Sequence, residues 1–369
     1  MKAFLTCFAA LFALHAHGAD LQSAIAKVRS VDREGRGNEA ASAAWQTIAQ
    51  AEPNALPQVL AGMNGANPLA ENWLRAAVSA IADRALASNA TPVAAIRTFL
   101  QDTRNSPGAR VVAFDLIQAA APKEAEALTP TLLDDPSAEL RRHPVSKLLE
   151  QGDDLVAKND KPAAVTAYQK AMNSARDEDQ IKSLAKKLKD LSSPVDLPRH
   201  FGFLMQWRLI APFSNLERKG FDTVFPPEKE INLTATYPGK NDEPAKWVPF
   251  TSKDDYGMVD FNKPFTMLKE VTGYAYTEFD SESDRNAELR LGCKNGWKIW
   301  LNGEFVFGRD EYHRGAKLDQ YKLPVKLKKG KNTILVKCCQ NEQKENWTVE
   351  WQFQLRVCDA TGTAILASN

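Results

Sequence analysis

The chain has 369 residues, enough for two domains that each bury a core of their own. Its 44% hydrophobic and 25% charged residues are ordinary for a globular protein. The 47 Lys and Arg nearly balance the 46 Asp and Glu, and the net charge of +1 excludes a global field that would draw nucleic acid or an anionic membrane.

At the start, Met1-Lys2 precedes an apolar run from Ala3 to Leu14 and the small residues of Ala16-His17-Gly18-Ala19. A basic residue, a short apolar segment and small residues in that order predict a secretory signal peptide over 1–19. The mature chain is then expected to be exported, to the periplasm or the outside. No later apolar run reaches the ~18–20 residues that span a bilayer, so no membrane span is expected.

From Leu21 to about Ser193 the pattern is helical and rich in alanine. Trp73, Leu74, Ala77, Val78, Ile81 and Leu86 recur at i, i+3/i+4 spacing, as do Val93, Ile96, Phe99 and Leu100, and then Val112, Leu116 and Ile117. Asn67-Pro68, Thr91-Pro92, Asn105-Ser106-Pro107 and Asp134-Asp135-Pro136 punctuate these runs. Ser106-Pro107-Gly108-Ala109-Arg110-Val111 and Asp135-Pro136-Ser137-Ala138-Glu139-Leu140 share one layout, with Pro opening a helix that has an apolar face behind it. Ser192-Ser193-Pro194 closes the helical half.

Strand patterns follow. Phe201, Phe203, Met205, Trp207 and Leu209 alternate with their neighbours, and further runs lie at 231–237, 246–250, 271–277, 287–293, 298–301, 304–307, 321–326, 333–339 and 347–357. Ala287, Leu289, Leu291 and Cys293 fall on one face, with Glu288 and Arg290 on the other. Val349, Trp351, Phe353, Leu355 and Val357 alternate with Glu350, Gln352, Gln354 and Arg356. Such alternation predicts antiparallel strands with one buried and one wetted face. Asn302-Gly303 predicts a type I′ hairpin, since both residues tolerate φ > 0. The expected fold is multidomain, α then β: a solenoid-like helical-repeat domain over 20–195, then an antiparallel β-sandwich or jelly roll over 196–369.

Four cysteines lie beyond the leader, in no CxxC pattern. Strand parity turns Cys293 and Cys338 inward as buried thiols. Cys339 and Cys358 fall on the opposite faces, so they are the pair able to bridge if their strands are neighbours.

Three segments resemble known families. The helical half resembles HEAT-like repeats, and Lys158-Asn159-Asp160-Lys161-Pro162-Ala163-Ala164-Val165-Thr166-Ala167-Tyr168-Gln169-Lys170-Ala171 looks like one tetratricopeptide unit. In the strand-rich half, Trp297-Lys298-Ile299-Trp300-Leu301-Asn302-Gly303-Glu304 and Leu327-Lys328-Lys329-Gly330-Lys331-Asn332 resemble the Leu-Asn-Gly and Leu-x-x-Gly-x-Asn pieces of galactose-binding-like sandwiches. The sugar-binding module of the β-galactosidase family has the same pattern. Gly220-Phe221-Asp222-Thr223-Val224-Phe225-Pro226-Pro227-Glu228 is similar to the opening of such modules.

This resemblance implies binding of a glycan, polysaccharide or other surface polymer by loops at one end of the sandwich. Sugar recognition needs flat aromatic faces beside planar polar groups. The richest such segment is Phe307-Gly308-Arg309-Asp310-Glu311-Tyr312-His313-Arg314-Gly315. Candidate ligand-binding residues are therefore Trp300, Arg309, Asp310, Tyr312, His313 and Arg314. The competing reading is that the loop only caps the sandwich while Trp300 packs on a neighbouring strand. Asp280, Glu282 and Asp284 form a weak candidate for a structural calcium ion, or a plain solvated turn. No other cofactor is expected. Lys317, Lys322, Lys326, Lys328, Lys329, Lys331 and Lys337 read as edge-protecting lysines or as a contact for an anionic polysaccharide.

Catalytic patterns are scarce. Beyond the leader only His143, His200 and His313 occur, with no HExxH, GxSxG, P-loop or GxGxxG. A carboxylate pair of the glycosidase kind stays open, and nothing in the sequence nominates one. The expectation is a non-catalytic exported binding protein with the helical repeats as scaffold. The alternative is an assembly factor of the cell envelope that binds other envelope proteins through those repeats and has no sugar affinity.

Overall fold

The computed structural model describes residues 20–368, so the leader expected over 1–19 lies outside the described residues. The chain is helical first and antiparallel β afterwards. It divides into two compact units, residues up to Gln180 and residues from Ile181 onward, and the division falls within a helix rather than at Ser192-Ser193.

The helical unit runs through α1 (20–29), α2 (Asn38–Ala49), α3 (Leu56–Gly62), α4 (Pro68–Ala87), α5 (Val93–Gln101), α6 (Pro107–Ala120), α7 (Pro122–Leu128), α8 (Ala138–Ala157) and α9 (Lys161–Ser174), and α10 (Glu178–Asp190) carries the division. Local chemistry starts these helices. Asn67 accepts hydrogen bonds from the Leu69 and Ala70 amides at 3.0 Å, and Pro68 takes the first turn, where it needs no donor. Along α4, Leu74, Ala77, Val78 and Ile81 form the buried stripe that the periodicity predicts. Helices pack mainly on their neighbours in sequence, α5 on α6 and α8 on α9. The two Pro-led segments are tied to each other. Arg110 donates to Asp135 at 2.9 and 2.5 Å and to the Leu100 carbonyl at 2.7 Å, all within the core.

Ahead of its strands the β unit carries the short helix α11 (Leu197–Phe201), which takes in Phe201, the first residue of the predicted alternation. Asp196 caps it by accepting from the Arg199 amide, Pro198 sits in its first turn, and the first strand begins only at Gln206. Among the described residues eleven strands follow: β1 (Gln206–Ser214), β2 (Thr236–Pro238), β3 (Pro244–Thr251), β4 (Val259–Asp260), β5 (Val271–Ser281), β6 (Arg285–Cys293), β7 (Gly296–Leu301), β8 (Glu304–Arg309), β9 (Tyr321–Leu327), β10 (Gly330–Gln340) and β11 (Gln352–Cys358). A seven-stranded sheet runs β2-β3-β1-β5-β10-β7-β8, and a four-stranded sheet runs β4-β11-β6-β9. Both are antiparallel.

Their inner faces share one core. Trp207, Leu209, Trp297, Ile299, Ile334 and Val336 from one sheet meet Leu289, Leu291, Phe353, Leu355 and Val357 from the other. This is a β-sandwich.

The two motif pieces of the strand half are joined. Asn302 and Gly303 take φ of 54° and 81° in the β7–β8 hairpin, as predicted. Asn302 Nδ2 donates to Asn332 Oδ1 at 3.0 Å, and the Thr333 amide donates to Asn302 Oδ1 at 2.9 Å. Asn332 in turn closes the β9–β10 turn, donating to the Lys328 and Gly330 carbonyls and accepting from the Lys328 amide. Buried Asn332 and half-buried Asn302 bind two turns into one corner.

Three expectations fail here. Cys339 and Cys358 do not sit on neighbouring strands: β10 belongs to the seven-stranded sheet and β11 to the four-stranded one, and all four cysteines beyond the leader are free and buried. The outer face of β6 and β11 is not wetted at Arg290 and Arg356, which are buried under residues 359–362 and Asp319. Lys337 is no edge lysine. It is fully buried, because the segment from Phe221 to Glu228 folds over the seven-stranded sheet.

Candidate functional site

The predicted ligand residues divide between two surfaces. Trp300 lies on the outer face of the seven-stranded sheet, only 9% exposed, in a row with Leu335 and Tyr276 on adjacent strands. It lines a cleft of about 260 Å³ together with Ile231, Tyr276, Asn302 and Leu335. Tyr276 also borders a larger cleft of about 440 Å³, with Gln206, Arg208, Leu233, Thr251 and Glu278 around it.

Arg309, Asp310, Tyr312, His313 and Arg314 sit elsewhere, in the loop after β8. They are joined there by Asn215, Arg218, Lys294 and residues 340–350. Tyr312 points inward. Its hydroxyl accepts from Asn215 Nδ2 at 3.1 Å, and the Arg218 guanidinium lies 5.3 Å from its ring centre. Burial pushes the Tyr312 phenol upward, which keeps it protonated. Arg218 is held by a bidentate pair with Glu342, whose hydrogen bonds raise the guanidinium and lower the carboxyl. Burial, and then the charge of Asp222, raises the Asp310 carboxyl.

His313 is the hinge of the loop. It takes φ of 61°, its amide donates to the Lys294 carbonyl, and its Nε2 lies 3.0 Å from Asn341 Oδ1. The other ring nitrogen is buried with no hydrogen-bond partner among the described residues. The ring meets Trp347 edge-on, 5.2 Å between centroids. Trp347 is 59% exposed and sits on a single 3-10 turn, Asn346–Thr348. That turn is locked from below: Thr348 Oγ1 donates to Glu345 O at 2.7 Å, and Gln340 Nε2 donates to Thr348 O at 3.0 Å. Arg309 and Arg314 are exposed and share Glu311 loosely, at 3.9 and 3.6 Å.

This end of the sandwich thus offers an exposed indole on a rigid turn. His313 stands edge-on to it with Asn341 bonded to the imidazole, and the loop that carries His313 also carries the exposed Arg309 and Arg314, whose charge is only partly met. Sequence patterning does not bring Trp347, Asn341, Asn215 or Arg218 to this loop. Continuity with Val349–Val357 puts Trp347 at the start of a strand, while the strand begins only at Gln352.

The calcium candidate does not assemble. Asp280 lies at the end of β5, Glu282 is exposed in the hairpin, and Asp284 Oδ1 is taken by the Lys329 amide at 2.7 Å. Among the described residues no group of three or more His, Cys, Asp or Glu is placed to hold a metal ion. No helix among them is long and apolar enough to cross a membrane.

No protein-family model and no curated protein matches the chain. Parts of solved glycosidase structures are similar to it. A β-glucosidase from Kluyveromyces marxianus in complex with glucose is 13% identical over 44% of this chain and 16% of that one, with a TM-score of 0.25. A GH31 α-xylosidase from Xanthomonas citri is 9% identical over 31% and 15%, with a TM-score of 0.20. A β-glucuronidase from Ruminococcus gnavus is 15% identical over 42% and 28%, with a TM-score of 0.25. The chain spans less than a third of the length of each, and likenesses this distant carry neither activity nor substrate to it.

Proposed function

We propose that the β unit binds carbohydrate or another surface polymer through the loop end around Trp347, without catalysis. The helical unit serves as scaffold in an exported protein. The observation that carries this reading is the exposed Trp347 indole, held by a locked turn with His313 packed edge-on against it. Stacking on a sugar face needs an aromatic ring whose position is already fixed, so that little entropy is lost on binding. Planar donors at its rim supply orientation. The galactose-binding-like motifs agree with this reading, and in the fold they form the corner at Asn302 and Asn332 that braces β7, β8 and β10.

The test is a glycan array with the full mature chain, followed by titration of whatever binds. Trp347→Ala is expected to weaken binding by roughly 2–13-fold, from a stacking contribution of about 0.5–1.5 kcal/mol, and Arg309→Ala also to weaken it. Arg208→Ala, in the sheet-face cleft, is expected to leave binding unchanged. No binding by the wild type at millimolar glycan would end the proposal.

A further inference from the structure

Cys293 ends β6 in the four-stranded sheet, and Cys338 lies in β10 of the seven-stranded sheet. Both point into the shared core, with Cys293 1% and Cys338 0% exposed, and their sulfurs are 3.9 Å apart. No other pair of cysteines makes such a contact among the described residues: Cys339 faces the Thr272 hydroxyl, and Cys358 faces the Glu288 carbonyl. Two thiols in contact across a sandwich are one side-chain adjustment from the ~2.0 Å of a covalent bond.

We propose that Cys293 and Cys338 are a disulfide site that staples the two sheets together. The oxidant is a disulfide donor, either an oxidised protein dithiol or oxidised glutathione. One cysteine thiolate attacks the donor disulfide, forming a mixed disulfide and releasing one donor thiolate. The second cysteine, as thiolate, attacks the protein sulfur of that mixed disulfide, forming the Cys293–Cys338 bond and releasing the second donor thiolate. The two protons lost by the cysteines end on the donor thiols, and the donor is reduced by two electrons. In the folded chain both sulfurs are enclosed, and burial pushes the Cys338 thiol well up. Exchange therefore belongs to folding, before the sheets close, and the folded reduced protein resists the same oxidant.

The full chain, denatured and reduced, is refolded in a buffer of oxidised and reduced glutathione, alkylated in acid and mapped by tandem mass spectrometry. The expected map has one bridge, Cys293 to Cys338, two hydrogens lighter than the dithiol, with Cys339 and Cys358 alkylated. The bridge persists in Cys339→Ala and Cys358→Ala. Adding reductant lowers the melting midpoint of the bridged protein by several degrees. Chain expressed in an oxidising cytoplasm and mapped in the same way is expected to carry the same bridge without refolding. A cooperatively folded product with both Cys293 and Cys338 alkylated overturns the proposal, and so does a bridge through Cys339 or Cys358.

Discussion

Arg356 donates two hydrogen bonds of 2.6 Å to Asp319, inside the β unit and on a strand face that alternation assigns to water. Asp319 also takes Arg290 at 2.7 Å, and Arg356 reaches on to the carbonyls of Phe201 and Gly362 at 3.0 Å. One carboxylate therefore holds together two strands of the four-stranded sheet, the entry to the β unit and its C-terminal turn.

Asp319→Asn is expected to destabilise by about 3–5 kcal/mol, because the buried Arg356 guanidinium loses its carboxylate partner and Arg290 keeps only Glu288. Burial alone would raise the Asp319 carboxyl. The hydrogen bonds from Arg356 and the two guanidinium charges outweigh it and hold the group below its ordinary value of 3.8. That stabilisation is fully present above 3.8 and is lost as pH falls through the lower folded value. Urea denaturation at a series of acidic pH values checks both points: the wild type loses stability in that window, and the Asn variant has a shallower acid slope.

Lys337 Nζ donates to Glu228 Oε1 at 2.8 Å and to the carbonyls of Phe221 and Thr223 at 3.0 and 2.8 Å. Tyr274 donates its hydroxyl to the same Glu228 oxygen. Lys337→Met strands the Glu228 charge and two carbonyls, so a loss of about 3–5 kcal/mol is expected. Adding Glu228→Gln to it should recover part of that loss, since the stranded charge is removed. Equal losses in the single and double variants would show that the carbonyl contacts matter more than the charge.

Asn332 uses both ends of its amide inside the corner between the β7–β8 and β9–β10 turns. Asn332→Leu keeps the branched outline of the side chain but adds bulk, and it leaves backbone groups of Lys328 and Gly330 unmet. The expected cost is about 2–3 kcal/mol, read as a shift in denaturation midpoint at constant slope.

Gly152 in α8 faces the ring of Tyr168 in α9 so closely that a Cβ would overlap the ring carbons. Tyr168 has little room to turn, because its hydroxyl donates to Asp153 at 2.5 Å. Gly152→Ala is therefore expected to destabilise by about 1–3 kcal/mol despite the higher helix propensity of alanine. Thermal melting of the variant beside the wild type decides it. A stabilised variant would mean that the ring moves freely.

The sequence by itself determined the order of classes, helix then antiparallel strand, and most of the inner face of the sandwich. Leu289, Leu291, Phe353, Leu355 and Val357 are buried as alternation requires, because period-two patterning reports one face of one strand at a time. It also placed the Asn302-Gly303 hairpin, a local property of φ > 0 residues. What lies over the outer faces was decided only by the tertiary structure. Arg290, Arg356 and Lys337 have the parity of wetted residues, and they are enclosed because distant segments, 359–362 and Phe221–Glu228, return to cover them. Strand adjacency was likewise invisible: β10 and β11 follow each other in sequence yet enter different sheets. That separates Cys339 from Cys358 and brings Cys293 to Cys338. The candidate site shows the same division. The loop at 307–315 could be named from composition, but its exposed indole, Trp347, comes from another loop, and only the closing of the sandwich sets it beside His313.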